Sequence, residues 1–203
     1  MKIDDIKTDI KYLEQLYSKL IQILPSFYIA DDKILPYGLK PHTRSISWLA
    51  EQVINQQMKH NAAKLGLDDV AIDFPDTCLH DSVIQVKNKK YFVNIKIHKT
   101  GGKENNNDIA AVEKLFEQYS SDPGYDIIYV CLGISFDKTK ISFDKNYLQI
   151  FSAQFLPIYV NPRNDKIQAF YAHDPIYRNR AEFLKLLQQK SKSIVLKSGK
   201  NAK

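Results

Sequence analysis

An alternation of apolar and polar positions near the middle of the chain predicts a β-hairpin. Two segments, Ser82–Val86 and Tyr91–Ile97, are rich in β-branched and aromatic residues and are joined by the polar stretch Lys87–Lys90. Side chains alternate between the two faces of a strand, so one face of this hairpin should be apolar. That face would carry Val86, Tyr91, Val93, Ile95 and Ile97.

The opposite face of the predicted hairpin gathers an acid, an amide and a lysine. A two-residue turn at Asn88-Lys89 would pair Asp81 with Lys96 and place both on the face that also carries Asn94. A three-residue loop would instead turn Asp81 to the other face. A solvated hairpin with its polar residues outward is the commoner explanation of such a pattern. Lys96 lies inside its strand, between two isoleucines, which favours a functional site.

Periodicity in the rest of the chain predicts one α/β domain, residues 1–189, with a mixed central β-sheet flanked by helices. The apolar stripe of residues 2–24 indicates a helix that covers the core or forms a dimer interface. The predicted helices are residues 2–24, Ser45–Lys64, Asp108–Tyr119 with Asp108 as N-cap, and Ala181–Gln189. The further predicted strands are Tyr125–Ile134, which is the most apolar run, Ile150–Val160 and Ile167–Tyr171.

The composition excludes several classes of protein. The chain has 203 residues, of which 44% are hydrophobic and 26% are charged, as in soluble globular proteins. No apolar run approaches the roughly 20 residues that cross a bilayer, and the N-terminus lacks the apolar core of a secretory signal. Cys78 and Cys131 are isolated and lack metal-ligand spacing, which indicates buried thiols in a reducing cytoplasm.

The net charge of +6 is concentrated at the C-terminus. Five lysines and no acidic residue fall within residues 190–203, so the body of the chain is close to neutral. Such a basic tail adds attraction to phosphates or is simply a soluble end. We expect this tail to be disordered, and the net charge alone assigns no partner.

The order of these elements resembles the PD-(D/E)xK nuclease superfamily. The shared order begins with a helix that carries Glu51, Asp81 at the start of a strand, and the hairpin with Asn94-Ile95-Lys96. A polar loop, a helix and a buried strand then follow, as in that superfamily. In more detail, the chain looks like type II restriction endonucleases of the blunt-cutting EcoRV-like branch, over roughly residues 35–187. The resemblance extends to the late segment Tyr177–Phe183 and implies a restriction-endonuclease-like core.

The resemblance implies a role for each residue of the site. Asp81 matches the metal-binding aspartate, Lys96 the lysine that orients or deprotonates the attacking water, and Glu51 a helical glutamate that helps to position metal or water. The backbone carbonyl of Ile95 would complete the metal shell. Where the family usually has a second carboxylate this chain has Asn94, whose oxygen can still bind Mg²⁺, although more weakly. Asn94 could equally be an inactivating replacement. The implied cofactor is Mg²⁺, for which Mn²⁺ can substitute.

Two polar loops and one later segment are candidates for reading DNA. Glycines allow close backbone approach, and asparagine can form two hydrogen bonds with adenine. The candidates are Gly101, Gly102, Lys103, Asn105, Asn106 and Asn107 in the first loop, Arg163, Asn164, Lys166 and Gln168 in the second, and Arg178 and Arg180 before the last helix. Both loops are explained equally well as ordinary polar loops. A palindromic target would imply a twofold homodimer.

Three functions are consistent with these residues. The first is Mg²⁺-dependent, sequence-specific hydrolysis of double-stranded DNA at a short palindrome by a cytoplasmic type II restriction endonuclease, paired with a cognate DNA methyltransferase. The second is a structure-specific nuclease of the same fold, such as a resolvase or a repair enzyme. The third is a catalytically silent DNA-binding dimer, which the amide at Asn94 suggests. Cleavage at one palindrome separates the first from the second, and tight binding without cleavage, even in Mn²⁺, favours the third.

Overall fold

Helices and strands alternate along the chain, and most of the strands join one sheet. The computed structural model describes residues 2–38, 43–75, 77–102, 107–161, 163–164, 166–169 and 174–198. Its helices are α1 (Ile3–Ile23), α2 (Thr43–His60), α3 (Ala62–Leu65), α4 (Val112–Ser121) and α5 (Arg180–Ser198), with a 3-10 turn at Ala153–Phe155. Its strands are β1 (Phe27–Tyr28), β2 (Asp69–Ala71), β3 (Ser82–Val86), β4 (Lys89–Lys99), β5 (Asn107–Ala111), β6 (Ile127–Asp137), β7 (Lys140–Ser152), β8 (Tyr159–Val160) and β9 (Lys166–Ala169).

Six strands form the central sheet in the order β1-β7-β6-β4-β3-β2. β4 and β6 are parallel, and the other neighbouring pairs are antiparallel. A parallel pair needs a crossover connection, and here it contains α4. The predicted α/β fold with a mixed sheet is confirmed. The predicted strand Tyr125–Ile134 is the inner strand β6, of which Ile127–Ile134 is buried.

Helices cover both faces of the central sheet. α1 and α2 pack on the face to which Val93 points, and together they form the first apolar cluster. α4 and α5 pack on the face to which Phe92 points and form the second apolar cluster. Because alternate residues of β4 point to opposite faces, Asn94 and Lys96 share the face of the second cluster.

The predicted first helix is confirmed as α1, and its apolar stripe faces the core. The buried apolar residues of α1 are Ile6, Leu13, Leu16, Tyr17, Leu20 and Ile21. They pack chiefly against β7. The stripe is therefore occupied by the sheet of the same chain, and the alternative role of this helix in a dimer interface stays a prediction.

The predicted second helix is present in two pieces. α2 ends at His60, and α3 follows after Asn61, whose side-chain amide donates to the carbonyl of Gln57 at 2.8 Å. Gly66 closes α3 in the left-handed conformation, with φ of 75°. Gly66 therefore ends this helical stretch.

The predicted third helix starts in the wrong place. The sequence predicts Asp108 as its N-cap, but Asn107–Ala111 forms β5, and α4 begins only at Val112. β5 pairs with β9, which pairs in turn with β8, so the three strands form a second small sheet. Pairing with a strand far along the chain outweighs the local capping preference of aspartate.

Two other predicted boundaries are also wrong. The predicted strand Ile150–Val160 is divided, because Ser152 ends β7 and its hydroxyl accepts from the backbone N–H of Gln154 at 3.1 Å in the 3-10 turn. The end of that predicted strand is β8, in the second sheet. The last helix continues to Ser198, through most of the predicted disordered tail, and residues 199–203 lie outside the described residues.

Candidate active site

The β3–β4 hairpin turns one residue earlier than predicted. Its two turn residues are Lys87 and Asn88, which makes Ser82 the partner of Val93. Lys87 adopts φ of 53°, and its backbone N–H donates to the carboxylate of Asp68, which stabilises this turn. The predicted pairing of Asp81 with Lys96 is wrong by two residues. A slip of two residues preserves side-chain alternation, so the predicted common face is retained.

The carboxylate of Asp81 bridges the end of β3 to β4. Asp81 Oδ2 accepts from the backbone N–H of Ile95 at 2.6 Å, and Oδ1 accepts from Asn94 Nδ2 at 3.3 Å. β3 ends next to Asp81, so the N–H of Ile95 has no ladder partner there and the carboxylate serves as its acceptor. Asn94 Nδ2 also donates to the carbonyl of Leu79 at 2.9 Å. These bonds turn the amide oxygen of Asn94 away from Asp81.

The ammonium of Lys96 binds two oxygens of its own strand. Its Nζ donates to Asn94 Oδ1, and to the carbonyl of Ile95 at 3.3 Å. The same Nζ lies 5.6 Å from the centre of the Tyr129 ring. Asn94 Oδ1 and the Ile95 carbonyl therefore converge on one cationic group.

Glu51, on α2, interacts electrostatically with Lys96 and Asp81. Burial raises the pKa of Glu51 to about 7, an effect that Lys96 opposes and Asp81 reinforces. Burial also raises the pKa of Asp81, against the opposing effects of Lys96 and the Ile95 N–H. Two carboxylates thus share a single lysine, so the site has an excess of negative charge when both are ionised.

The donor groups of this cluster suit a hard divalent cation. The carboxylates of Asp81 and Glu51, the amide oxygen of Asn94 and the carbonyl of Ile95 are all oxygen donors, which Mg²⁺ prefers. Among the described residues, no group of three or more His, Cys, Asp or Glu side chains could hold a metal ion. A metal here would need the amide and peptide oxygens to complete two carboxylates, as the resemblance implies.

The first predicted DNA-reading loop begins at the end of β4. Gly101 adopts φ of 77°, and the backbone N–H of Gly102 donates to the carbonyl of Lys99 at 3.1 Å, so the chain turns directly after the strand that carries Lys96. Both glycines are exposed. Lys103, Asn105 and Asn106 lie outside the described residues. Asn107 starts β5.

The second predicted loop is joined to the first by the small sheet. Asn107 pairs with Ala169, and Asp108 pairs with Gln168, so β5 and β9 bring Asn107 of the first segment close to Gln168 of the second. Arg163 and Asn164 are exposed in the turn before β9, and Lys166, the first residue of β9, pairs with Ala111 at the other end of β5. The sequence predicted each segment separately and did not predict that Asn107 and Gln168 are neighbours.

Arg178 and Arg180 are engaged within the fold. The guanidinium of Arg178 donates to the carbonyl of Leu156 and lies over the ring of Phe183. The guanidinium of Arg180 binds three carbonyls that follow one another around the end of α4: Tyr119, Asp122 and Tyr125. These contacts stabilise the junction of α4 and α5. Their predicted contact with DNA stays a prediction.

Two contributors to the site were not found from the sequence. The carbonyl of Leu79 fixes the amide of Asn94, and the ring of Tyr129 lies below Lys96. Alternation could have found neither of them, because both depend on how distant segments pack. His98, which flanks the site in the sequence, continues the row of Asn94 and Lys96 along β4, and its ring stacks on Tyr147.

Comparison with known proteins leaves the family resemblance a prediction. A scan against protein-family models and a search of the curated proteins both find no match to the chain. Within the part of the chain that the structure describes, no helix has the length and apolar character needed to span a membrane.

Proposed function

We propose that the protein is a Mg²⁺-dependent type II restriction endonuclease of the cytoplasm, which hydrolyses phosphodiester bonds at a short palindrome in duplex DNA. The observation that carries the proposal is the convergence of Asn94 Oδ1 and the Ile95 carbonyl on one cationic group, while Nδ2 of the same amide donates to the carboxylate of Asp81. Phosphodiester hydrolysis needs this combination of oxygen ligands for a metal and a neighbouring proton-transfer group.

Each residue of the site has its own role in the proposed hydrolysis. When bound, Mg²⁺ neutralises charge on the phosphate and polarises the attacking water. Asp81, Asn94 and the Ile95 carbonyl would hold the ion. Lys96 donates hydrogen bonds that orient the attacking water and the phosphate oxygens. Glu51, with a pKa of about 7, accepts a proton from water near neutral pH.

The surroundings of the site support DNA as the substrate. The exposed turn at Gly101 and Gly102 leaves β4 only a few residues after Lys96, and the second small sheet pairs Asp108, next to Asn107, with Gln168. Arg163 and Asn164 are exposed in the turn before β9, at the other end of this pairing, where Lys166 pairs with Ala111. Glycines, an arginine and an asparagine are suited to contact phosphates and base edges in a groove. A palindromic target implies a homodimer, and a restriction enzyme implies a cognate methyltransferase that protects the host DNA.

The test is cleavage of phage DNA by the pure protein in Mg²⁺, in Mn²⁺ and in EDTA, followed by gel electrophoresis and sequencing of the ends. Discrete fragments with one common end sequence, formed only with metal, are the expected result. Fragments that arise only at branched or mismatched sites would indicate a structure-specific nuclease. Retention of one DNA sequence without cleavage in either metal would indicate a silent DNA-binding protein. No interaction with DNA would overturn the proposal.

A further inference from the structure

His98 and Tyr147 form an aromatic pair that crosses three strands of the central sheet. Their rings are 4.6 Å apart with 15° between the planes. His98 lies on β4 and Tyr147 on β7, and the residue between them on β6 is Gly133, the register partner of His98. A Cβ at Gly133 would lie 2.7 Å from Tyr147 Cβ, which is closer than atoms can pack. The absence of a side chain on β6 therefore allows Tyr147 to reach His98.

The pair continues the row of polar residues that forms the candidate active site. His98 shares its face of the sheet with Asn94 and Lys96, and two residues of a strand separate His98 from Lys96 by about 7 Å. That distance is comparable to the spacing of successive phosphates along one nucleic-acid strand. The second apolar cluster covers this face at Phe92 and does not include His98 or Tyr147, and both rings are half-buried.

We propose that His98 binds a phosphate adjacent to the cleaved one, and that Tyr147, over Gly133, positions the imidazole for that contact. The inference rests on the proposed function, because it needs a DNA strand that runs along β4 across Lys96. An imidazole N–H is a good donor to a phosphate oxygen. Stacking fixes the plane of the ring before DNA arrives, so that little side-chain freedom is lost on binding. An apolar pair would fill the same space without a donor.

The test compares His98→Ala with the matched variant His60→Ala, in which an exposed histidine at the end of α2 is removed. KM and kcat are measured on a duplex oligonucleotide that carries the cleavage site found with phage DNA. His98→Ala should raise KM about tenfold, the effect of one hydrogen bond to a charged group, with kcat within about twofold. His60→Ala should change neither constant. Tyr147→Ala should raise KM, and Tyr147→Phe, which keeps the ring, should restore it.

The same assay with a chemically altered duplex identifies the contact. A methylphosphonate in place of the phosphate next to the cleaved bond removes the acceptor charge. On this duplex the wild-type KM should rise, and His98→Ala should add little, because both changes remove one interaction. Equal losses on the normal and altered duplexes, or a wild-type KM in folded His98→Ala, would overturn the phosphate contact alone. If the wild-type protein neither binds nor cleaves DNA, this inference falls together with the proposed function.

Discussion

The side-chain amide of Asn94 donates to Asp81 Oδ1 at 3.3 Å, and the same Nδ2 donates to the carbonyl of Leu79 at 2.9 Å. An aspartate at position 94 could make neither bond. The amide thus has a structural task at the place where the nuclease family usually has a second carboxylate. Both interpretations of Asn94, a natural residue of the site and an inactivating replacement, stay predictions.

Asn94→Asp should destabilise the metal-free protein. The change sets a carboxylate against Asp81 and the Leu79 carbonyl, and the loss of two buried hydrogen bonds should lower the free energy of unfolding by about 2 kcal/mol or more. Mg²⁺ should reverse much of this loss, because a second negative ligand strengthens binding of a hard cation. Urea unfolding in EDTA and in Mg²⁺ measures both effects. Equal stability of the variant and the wild type in EDTA would contradict the structural task of the amide.

Asp81→Asn and Lys96→Ala should each abolish DNA cleavage in a folded protein. The first removes a metal-binding charge and the second the donor to the attacking water, so we expect a loss of at least about 100-fold in rate. Asp69→Asn on β2 and Lys90→Ala at the start of β4 are matched controls, because both residues are exposed and distant from the site. Cleavage rates and circular dichroism give the comparison. Full activity in either site variant would show that the site assignment is wrong.

The pKa of Glu51 makes stability depend on pH in a direction that can be worked out. Its folded pKa of about 7 exceeds its ordinary value of 4.5, so the folded state binds the proton more tightly than the unfolded state. This proton's contribution to the free energy of unfolding is complete below pH 4.5. As pH rises through 7, the free energy of unfolding falls by about 3 kcal/mol.

Glu51→Gln should therefore flatten the dependence of stability on pH between 4.5 and 7 in EDTA. Asp81 and Asp126, whose pKa values burial also raises, contribute in the same direction in both proteins, so the difference between them reports Glu51 together with its interaction with Asp81. Urea titrations at several pH values provide the measurement, with Glu113→Gln on the exposed side of α4 as the control. If the stability of Glu51→Gln depends on pH as steeply as that of the wild type, the carboxylate of Glu51 is not the source of the dependence.

Arg180→Ala and Arg163→Ala should separate folding from DNA binding. Arg180 binds three carbonyls at the end of α4, so its loss should cost about 3 kcal/mol of stability, and Arg180→Lys should recover little, because lysine lacks the planar fork. Arg163 is exposed, so its removal should leave stability unchanged and weaken DNA binding. Thermal unfolding and binding at low temperature resolve the two. A stable Arg180→Ala that binds DNA poorly would instead support the predicted DNA contact.

The common face of Asp81, Asn94 and Lys96 could be predicted because alternation depends only on the strand itself. The register could not be predicted, because the turn is fixed by Asp68, which lies outside the hairpin and accepts from the N–H of Lys87. The error in the turn shifts the pairing by two residues, which keeps the three side chains on one face. A slip of one residue would have placed Asp81 on the opposite face from Asn94 and Lys96.

The remaining departures arise from contacts between distant parts of the chain. Asp108 has the local chemistry of a helix cap, but β9 offers a strand partner for its backbone. The approach of Glu51 to Asp81 follows from the packing of α2 on the sheet, which no local pattern encodes. The prediction of a disordered tail is wrong for residues 190–198, because α5 continues as a helix to Ser198, beyond its buried residues Phe183 and Leu187.

The position of Lys96 has a consequence for the proposed metal site. Its ammonium donates to Asn94 Oδ1 and to the Ile95 carbonyl, the two oxygens that would bind an ion. If the protein is the proposed Mg²⁺-dependent nuclease, its ion would have to take the place of this ammonium. Lys96 would then be free to donate to the substrate. One side chain would thus link metal binding to the supply of a hydrogen-bond donor at the site.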